Sequence, residues 1–121
     1  MGASALSKLS ILEQSDLKRV PVEVAEWGGT VYIRELTAGE MDAWEQYCVD
    51  LRQRRLKDAI PNLRAHLLVR CICDEHGNRL FEDGDAAALG GKSSTALQVL
   101  FDAAVELNKM SAEAVEAVEK N

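Results

Sequence analysis

The chain has 121 residues, 47% hydrophobic and 28% charged, a composition that suits a globular fold and excludes a fibrous or disordered chain. Its net charge of -6 disfavours indiscriminate nucleic-acid binding, because phosphate contacts need a surplus of Lys and Arg. Apolar runs such as Leu67 to Val69 and Cys71 to Cys73 fall far short of the roughly 20 residues that span a bilayer, and Met1 to Lys8 carry neither a secretion signal nor a myristoylation signal. Cys48, Cys71 and Cys73 are an odd number at spacings unlike a disulfide framework, which points to a reducing cytoplasm.

Leu6, Leu9 and Leu12 recur at near-helical spacing within residues 4–14, behind serines able to cap a helix. Residues 1–18 are expected to be a mobile N-terminal segment. Val20, Val22 and Val24 then alternate with Pro21, Glu23 and Ala25, and after Gly28-Gly29 the alternation resumes with Val31 and Ile33. This predicts a β-hairpin over 20–36 with a two-residue turn, both glycines at positive φ. In that register Trp27 faces Thr30, Val24 faces Ile33, and Glu23 forms an ion pair with Arg34.

Thr37 and Glu40 make a capping box, so a helix starts there. Met41, Trp44, Cys48 and Leu51 continue its apolar face within residues 37–58, and Pro61 ends or kinks it. Leu63, Leu67, Cys71 and Ile72 form a second stripe, with Arg64 and Arg70 on other sides. Asp74 to Asn78 read as a turn before an extended Arg79-Leu80-Phe81; Cys71 to Cys73 either finish the preceding helix or pair with that segment. Asp85 caps a short turn through Leu89, closed by Gly90-Gly91. Ser93 or Ser94 caps the strongest helix, whose Leu97, Leu100, Phe101, Ala104 and Val105 share one face that is buried in the core or against a partner. Ser111 caps a last helix with Val115 and Val118 inward. The architecture is α+β, a mostly α-helical single domain over 1–121 with an N-terminal β-hairpin and a helical part from 37 onward, as a monomer or a homo-oligomer.

The motifs that carry chemistry fail on their details. Gly90-Gly91-Lys92-Ser93 looks like the end of a phosphate-binding loop, but Ala86 stands where its first glycine belongs. Asp74, His76, Asn78 and Asp85 fit a calcium loop poorly, since Arg79 occupies the glycine position. His66, Cys71, Cys73 and His76 include zinc-type ligands, yet Cys-x-Cys is not the usual knuckle and no second pair follows. Neither cysteine-bearing segment has the tight turn that exposes a nucleophile. No enzyme activity, metal or cofactor is expected. Arg52, Arg54, Arg55, Lys57, Arg64 and Arg70 oppose a single acid, Asp58, between 52 and 70. Arginine-rich helix ends are more often solvated or salt-bridged, and arginine also suits a protein interface, with Arg52 and Arg55 as the candidate contacts. The alternative is a small phage or bacterial regulator that binds nucleic acid there, although no aromatic residue lies within the stretch for stacking.

Taken together, Val20-Pro-Val-Glu-Val-Ala-Glu-Trp-Gly-Gly-Thr-Val-Tyr-Ile-Arg-Glu-Leu-Thr-Ala-Gly-Glu40, Asp74-Glu-His-Gly-Asn-Arg-Leu-Phe81 and the helix from Leu97 to Asn108 resemble the tail assembly chaperones of long-tailed bacteriophages. The resemblance covers nearly the whole chain. It implies a protein of phage or prophage morphogenesis in the host cytoplasm, which binds the tape measure protein, keeps that long helical chain soluble and helps recruit tail-tube subunits. It further implies a longer product made by ribosomal slippage, through which the tail-tube protein is bound. Glu119-Lys120-Asn121 can be encoded by GAA AAA AAC, whose last seven bases form a slippery heptamer, so a -1 shift is expected at codons 119 to 121.

Overall fold

The computed structural model describes residues 4–53 and 62–110. The expected continuation of the second helix through 58, its end at Pro61, and the helix capped by Ser111 with Val115 and Val118 inward all lie outside the described residues. Helix α1 (Lys8–Leu12) precedes strands β1 (Arg19–Val24) and β2 (Gly29–Arg34); then come α2 (Ala38–Gln53), α3 (Leu63–Cys71), β3 (Ile72–Cys73), α4 (Ala86–Leu89) and α5 (Ser94–Leu107). The sheet is antiparallel in the order β1-β2-β3, and the fold is α+β, mostly helical, with an N-terminal hairpin.

The hairpin forms in a different register from the one the glycine pair suggests. Val24 lies across from Gly29, Glu23 from Thr30, Val20 from Ile33 and Arg19 from Arg34. The cause is the turn: Ala25–Trp27 wind into a single 3-10 turn, Gly28 alone takes a left-handed φ of 64°, and its N–H donates to the Ala25 carbonyl at 3.2 Å. The loop is therefore four residues long, and Gly29 is already strand. Because the slip is an even number of residues, the inward set survives it. Val24 and Ile33 are buried, and Val20, Val22 and Val31 pack against the same core.

The expected Glu23–Arg34 ion pair is absent for the same reason. Arg34, only 4% exposed, instead meets Glu40 at 2.8 Å and donates to the Glu35 carbonyl at 3.0 Å. Arg19, across the ladder, donates instead to the Glu75 carbonyl at 2.9 Å, so the two like charges have separate partners. The capping box places Glu40: its Oε1 accepts the Thr37 N–H at 2.9 Å and its own N–H reaches Thr37 Oγ1 at 3.1 Å. Arg79 adds a second cation 3.6 Å from Glu40, donates to the Val69 carbonyl and meets Asp83 at 2.7 Å.

The predicted apolar stripes converge on one cluster. Trp44, Cys48 and Leu51 line α2; Leu63, Leu67 and Cys71 line α3, joined by Ile72; and α5 contributes Leu97, Leu100, Phe101 and Ala104, with Val105 partly buried beside them. Cys71 ends α3, and Ile72–Cys73 pair with β2 at Ile33 and Tyr32, while Cys73 also bridges to Arg79. Ser93 rather than Ser94 caps α5, accepting the Ala96 N–H at 3.3 Å. At the far end Asn108 accepts the Leu36 N–H at 2.8 Å and donates to the Ala104 carbonyl at 2.9 Å.

Phe101, buried on α5, is expected to cost about 3–5 kcal/mol when replaced by Ala, read from urea unfolding. Glu40 gives a second expectation, in the pH dependence of stability. Burial pushes its carboxyl up, but the Arg34 and Thr37 hydrogen bonds and the Arg34 charge outweigh that and hold it below its ordinary 4.5. A folded-state value below the unfolded one contributes stability that is fully present above the unfolded value and fades as the pH falls through the folded one. The stability gap between the wild type and Glu40→Gln should therefore be widest at neutral pH and narrow in acid.

Candidate functional site

The positions that sequence reasoning marked for chemistry are occupied by structure. Gly90, Gly91 and Lys92 spend their backbone N–H groups on the carbonyls of Ala86, Ala88 and Leu89 at 2.8, 3.2 and 3.0 Å, so the donors that a phosphate cradle needs instead close α4. A Cβ on Gly90 would fall 1.9 Å from Asn62 Oδ1, so a larger residue there would require the Asn62 side chain to move. The Asp74 carboxylate accepts the N–H groups of His76 and Asn78 at 2.8 and 2.9 Å and the Asn78 side-chain amide at 3.2 Å. It builds its own turn, closed by Gly77 at φ 90°. Among the described residues no group of three or more His, Cys, Asp or Glu is placed to hold a metal ion, and no helix is long and apolar enough to cross a membrane.

All three cysteines are buried and unpaired. Burial pushes the Cys71 thiol up to about 12 and raises Cys48 and Cys73 as well, the reverse of what an activated nucleophile requires. Cys71 lies within 3.9 Å of the Asn108 amide, and Cys73 within 3.6 Å of the Tyr32 carbonyl. His66 packs against Tyr47 in a tilted arrangement with ring centroids 5.1 Å apart, and burial, with the Arg70 charge, lowers its pKa.

Of the residues proposed to meet a partner, Leu97, Leu100, Phe101 and Ala104 are buried within this chain, Val105 is half-buried, and Arg52 stands in the last turn of α2. Arg55, like Arg54 and Lys57, lies outside the described residues. Arg70 turns inward, donating to the His66 carbonyl and approaching Asp83 at 3.9 Å.

The outward apolar groups lie elsewhere. Leu6, Leu9, Ile11 and Leu12 are 55–71% exposed on and beside α1, a helix that buries no residue although a Ser7–Ser10 capping box starts it. Periodicity pointed to this helix but not to its exposure, since a spaced leucine stripe reads the same whether covered or bare. Trp27 and Leu80 are also exposed, flanking a groove of about 430 Å³ beside β2 that Val31, Ile72 and Phe81 help to line. That groove went unnoticed in the sequence because its walls come from three separate segments.

Among the described residues, the glycines, the cysteines and Asp74 are engaged in building this chain, while large apolar side chains stand outward. The chain belongs to the phage tail assembly chaperone family, whose model matches residues 5–120. No curated protein and no solved structure matches it. Membership assigns it a role in assembling phage tails.

The cysteine geometry sets an expected outcome: a thiol reagent such as DTNB should label none of the three in the native protein at neutral pH, and all three once urea unfolds it. Rapid native labelling of Cys71 would contradict its placement.

Proposed function

We propose that this chaperone binds the tape measure protein, covers the apolar stripe of that long helical chain, and holds it soluble until tail-tube subunits assemble around it. The observation that carries the reading is the bare apolar helix: four large side chains, Leu6, Leu9, Ile11 and Leu12, are exposed together, where burying each would contribute about 1.5–3 kcal/mol. Such a stripe lies against another amphipathic helix by the usual i, i+3, i+4 interdigitation. The net charge of -6 would keep the combined particle in solution. A longer product, made by slippage at codons 119 to 121, would carry the segment that meets the tail-tube protein; the coding DNA decides this, since GAG AAG in place of GAA AAA removes the heptamer.

Co-expression with the tape measure protein of the same phage tests the core of the proposal. Wild-type chain should hold that protein in the soluble fraction and co-purify with it. The double variant Leu9→Asp/Leu12→Asp, changed only at exposed positions, should keep its own melting temperature and lose most of the soluble complex. A tape measure protein that stays insoluble beside the wild-type chain would refute the reading.

A further inference from the structure

The exposed edge of β2 carries an inference that does not depend on the tape measure reading. The Glu35 N–H donates to the Lys18 carbonyl at 2.8 Å, continuing the ladder in which Ile33 faces Val20 and Val31 faces Val22. In an antiparallel pair the backbone groups of successive residues point alternately toward and away from the partner strand. Odd-numbered residues of β2 therefore aim at β1, and Tyr32 and Thr30 aim at the other side. Tyr32 is met there by Cys73. Thr30 is not, because the chain leaves the sheet at Asp74, pulled into its turn by the Asp74 carboxylate and Gly77.

The two outer edges of this sheet are guarded differently. On β1 the outward backbone position nearest the middle of the strand is Pro21, which has no N–H to offer, with Arg19 beside it, two common defences of an edge strand. The sequence neighbours of Thr30, Gly29 and Val31, are neither proline nor charged, and Thr30 and Val31 border open space. The space is the groove of about 430 Å³ whose apolar walls are Trp27, Val31, Ile72, Leu80 and Phe81, and whose rim includes Asp74 and Glu75.

We propose that this edge is a docking slot for an extended peptide segment of a partner protein, which adds to the sheet at Thr30 in line with β3. A strand on that line runs antiparallel to β2, as β3 does. Its N-terminal end lies beside Asp74 and Glu75, and its C-terminal end points toward Trp27. Charge complementarity then sets the occupant: one or two basic residues followed by alternating apolar residues, the bases meeting the acidic rim and the apolar side chains filling the groove. Main-chain bonds to Thr30 supply the pairing and the groove supplies the selectivity, the ordinary division in strand addition.

The probe is a soluble peptide, Lys-Lys-Val-Thr-Val-Thr-Val-Gly, titrated into the isotopically labelled full chain and followed by amide resonances. Saturable shifts are expected at Thr30, Val31 and the Trp27 indole, with the Thr30 amide gaining protection from hydrogen exchange. Thr30→Pro removes the outward N–H while sparing the ladder to β1, and should weaken binding about tenfold or more, the loss of a well-made hydrogen bond and its register. Leu80→Asp, at a side chain 58% exposed, is a second variant whose fold does not depend on the change, and should weaken binding by a similar factor. Glu75→Lys should weaken it most at low salt. Absence of shifts at millimolar peptide, equal binding to Thr30→Pro and Leu80→Asp, or tighter binding of a helical peptide of matched composition would each overturn the proposal. None of these outcomes bears on whether the tape measure protein is held through α1.

Discussion

A guanidinium taken out of water needs a fixed counter-charge, and the fold is arranged around meeting that demand at Arg34. The side chain stands at the end of β2, 5% exposed, with Glu40 as its partner. Desolvating both charges costs several kcal/mol each in effect, so the pair is weak as a source of net stability but severe as a constraint: losing either partner strands the other. Glu40 can serve because the capping box has already oriented it. One carboxylate thus starts α2, neutralises the hairpin and receives Arg79, which in turn holds the Val69 carbonyl near the end of α3 and meets Asp83. Arg34 Nε alone in this group has no partner.

Four arginines among the described residues are used in construction in the same way. Arg19, Arg34, Arg70 and Arg79 all spend donors on backbone carbonyls, and the last three also meet carboxylates. Positive charge works here as internal fastening. Glu23, Glu26, Glu45 and Glu106, by contrast, are exposed.

What could be read in advance divides along physical lines. Local chemistry was legible: the Thr37–Glu40 box, the glycine closure at Gly90, the Ser93 cap and the inward stripes of α2, α3 and α5 each depend on residues a few positions apart. Register was not, because Gly28 and Gly29 are equally able to adopt positive φ and only the formed turn decides which does; the inward valines survived the error because the slip was even. Strand pairing alone offers Arg34 only its neighbours across the ladder, such as Glu23, whereas its actual partner, Glu40, sits on the following helix. The exposure of Leu6 to Leu12 and the groove beside β2 depend on where chain segments end in space, which periodicity does not encode.

Asn108 fixes one more property of the chain. Its side chain holds the Leu36 N–H across 72 positions of sequence and sits beside Cys71, so the last turn of α5 closes the interior opened by the hairpin. Contacts this distant in sequence form only after a large loop-closure entropy has been met, which slows folding relative to a bundle of local contacts. On the ribosome the order is stricter still, since a domain closes only when its segments have been made. The hairpin is synthesised first and waits with Val24 and Ile33 uncovered until residue 108 has emerged. A nascent chain of this protein therefore carries the apolar residues of its hairpin uncovered through most of its own translation, so an assembly chaperone spends its own synthesis in need of shielding.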